Sequence, residues 1–405
     1  MRLSVVLAIL PAAIAVPAPA ARSEPAPLIR RDENGNGIQN QWIVKFKNSN
    51  SLSSSSPNSV SSVINSLSVA PDHVFGNVFK GFAGQLNEKA LEALRNNPEV
   101  EYIEQDSTLR LDEWVDQTGA PWGLARISQR PLLNYSTDPL SYTYTYDSSA
   151  GTGTCAYIVD SGVDVTHPEF EGRASWAANF GDNINEDGVG HGTHVAGTVG
   201  SKTYGVAKKT TIYAVKVTDT KGKGTTAQLI AGLDFVVKDA PKRNCPKGVV
   251  TNVSIGDSRS TAVNAAAAAL VANNIFLAVS AGNDNTDAGS QSPASEQTVC
   301  TIGATDSTDR RSSFSNFGLN VDVFAPGTGI LSTIPGGGAG YKSGTSMATP
   351  HATGLAAYLA GLNGFPGADA LCTLLKETAT NGLLRSIPSS TINKMIFNGN
   401  LKGDL

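Results

Sequence analysis

Charge, cysteine and long apolar runs are all scarce in this 405-residue chain. Charged residues make up 16% of it and the formal net charge is −4, with no long basic run and no zipper or finger spacing, which argues against a nucleic-acid partner. Beyond residue 20 no stretch holds ~18 unbroken apolar residues, so no membrane-spanning helix is expected. There are only four cysteines, Cys155, Cys245, Cys300 and Cys372, and none stands in a CxxC pair, which argues against a zinc ribbon. The HEXXH signature of a zinc protease is missing too: Gly192 occupies the place of its general base. A run that opens like an EF-hand loop, with Asp32, Asn34, Asn36 and Gly37, has Ile43 where the twelfth position needs Glu.

What is present begins with MRLSVVLAILPAAIAVPAPA (1–20), in which Arg2 precedes about a dozen apolar residues and then Ala-x-Ala sites. This is the pattern of a secretory signal; it predicts an extracellular product, and four cysteines suit an oxidising compartment. Residues 21–40 are rich in Pro, Arg and Asn and read as a flexible leader. Strand-like alternation at QWIVKFK (41–47), a strand at 73–86, a helix at 87–100 and a strand at 100–106 then describe a small α+β unit. The texture changes after Trp122. CAYIVD (155–160), TIYAVKV (211–217), GVVTNVSIG (248–256) and IFLAVSAGN (275–283) are near-continuous apolar runs separated by helical segments at 226–240 and 260–274. Strands buried on both faces and alternating with helices predict an α/β domain with a mostly parallel sheet and helices on both sides. Active sites in such sheets collect at the carboxyl ends of the strands.

Chemistry-bearing residues fall where that rule places them. Asp160 ends an apolar strand. His191 opens HGTHVAG (191–197), whose small residues let a helix begin tightly behind it. Ser346 lies in SGTSMATPHATG (343–354) at the start of a helical run, where free N–H groups and the helix dipole favour developing negative charge. Asn283, in SAGNDN (280–285), is an amide at a strand end that can donate to an oxyanion. Taken singly these are a strand terminator, half of a His191/His194 metal pair, an N-cap and a turn residue. The acidic loop DNINEDG (182–188) reads as solvated surface, since Ile184 breaks any Ca²⁺-loop spacing.

The order Asp, His, Ser separates this constellation from the α/β-hydrolases and from chymotrypsin-type enzymes, and GTSMA is not GxSxG. With IVDSG, HGTHVAG, SAGN and GTSMATPH all present, the chain from about residue 113 onward resembles a subtilase. GAPWGLARIS (119–128), CPKGVV (245–250) and RRSSFSNFG (310–318) resemble the proteinase K branch, and residues 41–106 resemble its inhibitory, ferredoxin-like propeptide. The resemblance divides the chain into a signal (1–20), a leader and propeptide (21–112) and a catalytic domain (113–405). It implies a self-processed serine endopeptidase with Asp160, His191 and Ser346 as the triad and Asn283 in the oxyanion hole. No cofactor for catalysis is implied, and a monomer is expected. Substrate strands are implied at Gly222, Lys223 and Gly224 and at Ser254, Ile255 and Gly256. A pocket of small residues, Ser280, Ala281 and Gly282, implies broad specificity with apolar or aromatic preference before the cut. Asp257 and Ser280 depart from the family pattern of a second glycine and an alanine. Among three possible cysteine pairings the resemblance selects Cys155–Cys245 and Cys300–Cys372. It also implies a structural Ca²⁺ on the Asp322 carboxylate and the Gln297 and Val299 carbonyls. Of two glycosylation sequons, Asn134 is expected to be usable; Asn252 falls in a predicted buried strand. An inactive binding protein, an esterase and a narrow processing protease remain as other readings of the same motifs.

Overall fold

A computed structural model describes residues 24–31, 37–47, 59–107, 114–134 and 136–404. The predicted signal (1–20) and Asp32, Asn34 and Asn36 of the EF-like run lie outside those residues. The chain divides into two compact units on either side of the 108–113 segment.

The first unit is a five-stranded sheet in the order β1-β5-β2-β4-β3, with β1 Leu28–Ile29, β2 Gly37–Phe46, β3 Pro71–Phe75, β4 Gly81–Gln85 and β5 Val100–Ser107. Two helices, α1 Val60–Ser66 and α2 Glu88–Arg95, accompany it. Asn87 caps α2 by accepting the Ala90 N–H at 2.9 Å, with Glu88 in the first turn and Arg95 in the last. The apolar side of α2, Ala90, Leu91 and Leu94, packs into a core with Trp42, Val44, Phe46, Phe82 and Ile103. Two sequence expectations are corrected here. The predicted strand at 73–86 is a hairpin, β3 and β4 paired antiparallel around the Gly76–Lys80 turn, because alternation of apolar residues runs straight through the turn and hides it. Part of the supposed flexible leader is folded: β1 adds parallel to β5, and Ala26 is wholly buried.

The second unit holds a nine-stranded sheet ordered β19-β20-β16-β15-β13-β11-β8-β10-β9. A separate antiparallel pair comes first in sequence, β6 Trp114–Ala120 with β7 Tyr142–Asp147, flanking α3 Trp122–Ile127. The main strands are β8 Cys155–Asp160, β9 Ala174–Asn179, β10 Thr211–Lys216, β11 Val249–Val253, β13 Phe276–Ser280, β15 Cys300–Thr305, β16 Val323–Pro326, β19 Thr380–Asn381 and β20 Lys394–Met395. Within the nine-stranded sheet only the β19–β20 pair is antiparallel. Two short antiparallel pairs complete the unit, β12 Asp257–Ser258 with β14 Gln291–Ser292, and β17 Ile330–Ile334 with β18 Gly338–Lys342.

The predicted double burial is realised residue by residue. Along β8, Ala156 and Ile158 face one core, with α4 His191–Gly200 and α7 Thr345–Asn363, while Cys155, Tyr157 and Val159 face the other. The second core is closed by α5 Thr226–Asp239 and α6 Thr261–Ala272. α5 begins with a full capping box between Thr225 and Gln228, and α6 with a Ser260 cap on the Val263 N–H. A final helix, α8 Ala368–Thr378, is tied to β15 by the Cys300–Cys372 disulfide, and Cys155 is bonded to Cys245. The chain leaves β8 toward β10 and β9 on one side, and continues through β11 and β13 on the other. The carboxyl ends of β8 and β11 therefore flank a topological switch point.

Candidate active site

Asp160 is the last residue of β8, His191 the first of α4, and Ser254 follows directly on β11. Asp160 is fully buried; its Oδ1 accepts the Ser161 N–H and faces His191 Nδ1, each at 2.7 Å. That contact requires Nδ1 to carry hydrogen and leaves Nε2 as the free base. Burial pushes the His191 pKa down, the Asp160 carboxylate pushes it up, and the net shift is upward from the ordinary histidine value. His191 and His194 do not form a metal pair. His194 is wholly buried, its Nε2 lies 2.9 Å from the Ile330 carbonyl, and burial lowers its pKa to about 4, so it stays neutral.

The acidic loop is not solvated surface throughout. Asp187 is buried and organises the start of α4, whose N-cap, Gly190, has no capping side chain. Its Oδ1 accepts Ser161 Oγ and the Gly190 N–H, both at 2.8 Å, and its Oδ2 accepts the N–H and hydroxyl of Thr193. One carboxylate thereby binds the turn after Asp160 to the turn before His191. The sequence carries no local mark of this role, because an acid in a polar run reads as surface.

Ser346 lies in the first turn of α7, where N–H groups have no partner within the helix. Asn283 is oriented by its neighbour: its Oδ1 accepts the Thr345 N–H at 2.8 Å and the Thr345 hydroxyl at 2.9 Å. Because a backbone N–H can only donate, the amide oxygen is fixed on Thr345 and the Nδ2 donor is left to face the cavity. Gly344 has φ 156°, and a Cβ there would lie 3.5 Å from Ser346 N and 3.7 Å from the Asn283 amide. Absence of a side chain at 344 keeps the space between those two donors open.

Asp160, His191, Ser346 and Asn283 line one cavity of about 400 Å³ together with Gly222, Ser254, Ile255, Gly256, Ser280 and Gly282. A neighbouring cavity of about 460 Å³ shares Gly222, Ile255 and Gly256 and adds Gly224 and Asp257. The Gly222–Gly224 segment is held by Asp219, whose Oδ1 accepts the Lys221 and Lys223 N–H groups, and by a bridge from Thr218 to Gly224. Of the expected pocket residues, Ala281 is turned into the second core; Lys223, expected only as part of a substrate-pairing strand, has its side chain exposed outside both cavities. Two unexpected ones are present: Asp284 and Gln291 line the first cavity, and Gln291 Nε2 donates to the Asp284 carboxylate. The pocket is thus more polar than small residues alone imply.

A match to the Subtilase family description spans residues 151–393, and a match to Peptidase inhibitor I9 spans 41–112. The chain belongs to the subtilase family. It is 51% identical, over the full length of both chains, to a protein named subtilisin-like serine protease AsES from Sarocladium strictum. It is 50% identical to Proteinase R from Parengyodontium album, covering 98% of this chain and 99% of that one. A solved structure of a cold-adapted subtilisin-like serine proteinase superimposes with a TM-score of 0.63 at 41% identity, covering 69% of this chain and 98% of the other. The protein is a serine endopeptidase of the subtilisin and proteinase K type, carrying its own inhibitor-family domain.

Asn134 is exposed, whereas Asn252 is fully buried in β11 with its amide donating to Ser254 Oγ, so a glycan at Asn252 is incompatible with this fold. The expected calcium ligand Asp322 does not offer a free carboxylate: Oδ2 accepts the Thr301 N–H at 2.9 Å and Oδ1 the Lys376 ammonium at 3.0 Å. An ammonium in direct contact with the anchoring carboxylate opposes a divalent cation there, so the donor set does not fit Ca²⁺. Among the described residues no helix is long and apolar enough to cross a membrane.

Proposed function

We propose that the protein is a secreted, self-processed endopeptidase of broad specificity that works through an acyl-enzyme on Ser346. The carrying observation is the 2.7 Å contact of Asp160 with His191 beside Ser346 and a free Asn283 Nδ2 in one cavity. Ser346 Oγ, which in the resting enzyme donates to the Ser254 carbonyl, turns to His191 Nε2 as substrate enters. His191 takes the hydroxyl proton while Oγ bonds to the peptide carbonyl carbon. The carbonyl oxygen becomes an oxyanion between Asn283 Nδ2 and the Ser346 N–H. The C–N bond then breaks as His191 passes the proton to the departing amine. Water repeats the sequence on the ester and restores Ser346, while Asp160 stabilises the imidazolium at each stage.

Substrate backbone pairs as a strand with Gly222–Gly224 on one side and Ser254–Gly256 on the other. The residue before the cut enters beside Ser280 and Gly282. Small walls favour an apolar or aromatic body, and Gln291 and Asp284 supply acceptors for a polar tip, so tyrosine is preferred to phenylalanine. The signal at 1–20 directs secretion, Asn134 carries a glycan, and the I9 domain is cut away near residue 112, where its family match ends. All four catalytic groups come from one chain, which suits a monomer.

The test is a fluorophosphonate probe with a mixed peptide library. Ser346→Ala should lose labelling, hydrolysis and separation of residues 41–112. Asn283→Ala should keep labelling but lose about 10²–10³ in turnover, the loss associated with the amide donor of the relative subtilisin. Hydrolysis that survives Ser346→Ala overturns the proposal.

A further inference from the structure

We propose that Lys376 is the resident cation of the α8 corner, holding by its ammonium the place that a divalent ion would take on Asp322. Asp322 is presented rigidly: its N–H donates to the Thr301 carbonyl at 2.9 Å while its Oδ2 accepts the Thr301 N–H at 2.9 Å. That leaves Oδ1, and Lys376 Nζ fills it at 3.0 Å. Lys376 stands one helical turn after Cys372 on α8, and Thr301 follows Cys300 on β15. The ion pair and the Cys300–Cys372 disulfide therefore close the same junction side by side. Asp322 also lies near both sulfurs of that disulfide, but bonded sulfurs offer no thiolate to a metal.

The acidic loop shows the same device independently. Lys216 is fully buried, and its Nζ is held by Asp182 Oδ1 at 2.9 Å, the Ile184 carbonyl at 2.9 Å and the Glu186 carbonyl at 3.0 Å. One carboxylate and two backbone carbonyls are also the donor types expected of the calcium site at Asp322. A lysine in such a cage neutralises the carboxylate, satisfies the carbonyls and orders the loop, all without an ion drawn from solution. At Asp322 a fixed positive charge in contact with the carboxylate also repels a second cation, which is why the corner does not depend on calcium.

Thermal unfolding of the secreted enzyme, with Ser346 phosphonylated to stop self-digestion, tests this in chelator and in millimolar Ca²⁺. Lys376→Ala should lower the Tm in chelator by about 2–4 °C. Calcium should then restore it, and adding Asp322→Asn should abolish the restoration. Asp322→Asn in the otherwise unaltered protein should leave any calcium response of the Tm unchanged. Lys376→Met, which keeps the stem, serves where the alanine variant folds poorly. The proposal is overturned if Asp322→Asn alone removes a calcium-dependent rise, because Asp322 would then bind the ion with Lys376 in place. It is equally overturned if both Lys376 variants keep the parent Tm in chelator, or if calcium fails to raise the Tm of Lys376→Ala.

Discussion

Ser254 and Ser346 each hydrogen-bond the other's backbone carbonyl: Ser254 Oγ donates to Ser346 O at 2.9 Å, and Ser346 Oγ donates to Ser254 O at 3.1 Å. The cause lies four residues along α7. Pro350 has no N–H, so the Ser346 carbonyl lacks its partner within the helix and is open to a side chain from β11. Asn252 Nδ2 in turn holds Ser254 Oγ, and Thr353 Oγ1 holds Asn252 Oδ1, which fastens the strand to the helix around the nucleophile.

Ser254→Ala is therefore expected to leave the Ser346 carbonyl unsatisfied, at a cost of about 1–3 kcal/mol. Turnover should fall about tenfold with KM little changed, since the nucleophile is misplaced and the substrate walls remain. Adding Pro350→Ala supplies an N–H to the same carbonyl, and the double variant should regain much of the lost thermal stability. Purely additive losses in that double-mutant cycle would show that the two residues do not share the carbonyl.

What the sequence made legible, and what it hid, follows from locality. β8, β11 and β13 were readable because burial on both faces leaves continuous apolar runs, and the triad was readable because each member sits at a strand or helix end. Asp187 was misread because an acid in a run of polar residues carries no local mark of burial; Ser161 and Thr193, which donate to its carboxylate, lie far from it in chain order or on another element. Lys376 and Asp322 are 54 residues apart, and nothing in either neighbourhood announces the pair. Gln291 enters the substrate cavity from a two-residue strand, too short for any periodicity to place.

Activity should rise with pH through the titration of His191, because only the neutral ring can take the Ser346 proton. Asp160 raises that pKa despite burial, so the midpoint of kcat/KM should lie above the ordinary histidine value of about 6.5. In Asp160→Asn the lowering by burial and by Lys342 is opposed only by the smaller effect of Asp187, and the residual activity should titrate below that value. The stability sign is the opposite of the activity sign. A histidine with a raised folded pKa contributes stability fully below its unfolded pKa and loses it as pH rises through the folded one. The Tm difference between wild type and Asp160→Asn should accordingly shrink from acid to alkaline pH, and a constant difference would dissociate the pair from the shift.

Arg126 and Asp309 form a buried, two-pronged ion pair, with Nε to Oδ1 at 2.7 Å and Nη2 to Oδ2 at 3.1 Å. The side chains are 0% and 4% exposed, so neither charge has water to fall back on. Removing one partner strands the other, which costs about 3–5 kcal/mol. Arg126→Ala should thus be severely destabilised in denaturant unfolding, whereas Arg126→Met with Asp309→Leu should recover most of the loss. Arg126 Nη1 also donates to the Gln129 carbonyl at 2.7 Å, so recovery should stop short of complete.

The inhibitor domain is larger than its family match. The I9 match begins at residue 41, yet residues 26–31 are part of the fold. Ala26 is wholly buried and its N–H donates to the Arg95 carbonyl at 2.7 Å, which closes the end of α2. β1 extends the sheet beside β5, where the Ile103 N–H reaches the Pro27 carbonyl at 3.0 Å. Arg30 lies over the Trp42 ring at 5.5 Å, and Arg31 pairs with Glu104 while its N–H donates to Gln105 Oε1 at 3.0 Å. A unit of this size has little stability to spare, and several hydrogen bonds at about 1 kcal/mol each decide whether it is folded when alone. An inhibitor folded only part of the time binds with an affinity reduced by its folded fraction. Fragment 24–112 should therefore melt cooperatively and inhibit the mature enzyme about tenfold more tightly than fragment 41–112. Both should inhibit, because the shorter one can still fold on the enzyme surface. Circular dichroism of each fragment, followed by titration against the mature enzyme, separates the cases. Equal melting and equal inhibition would mean that residues 24–31 decorate the sheet without supporting it.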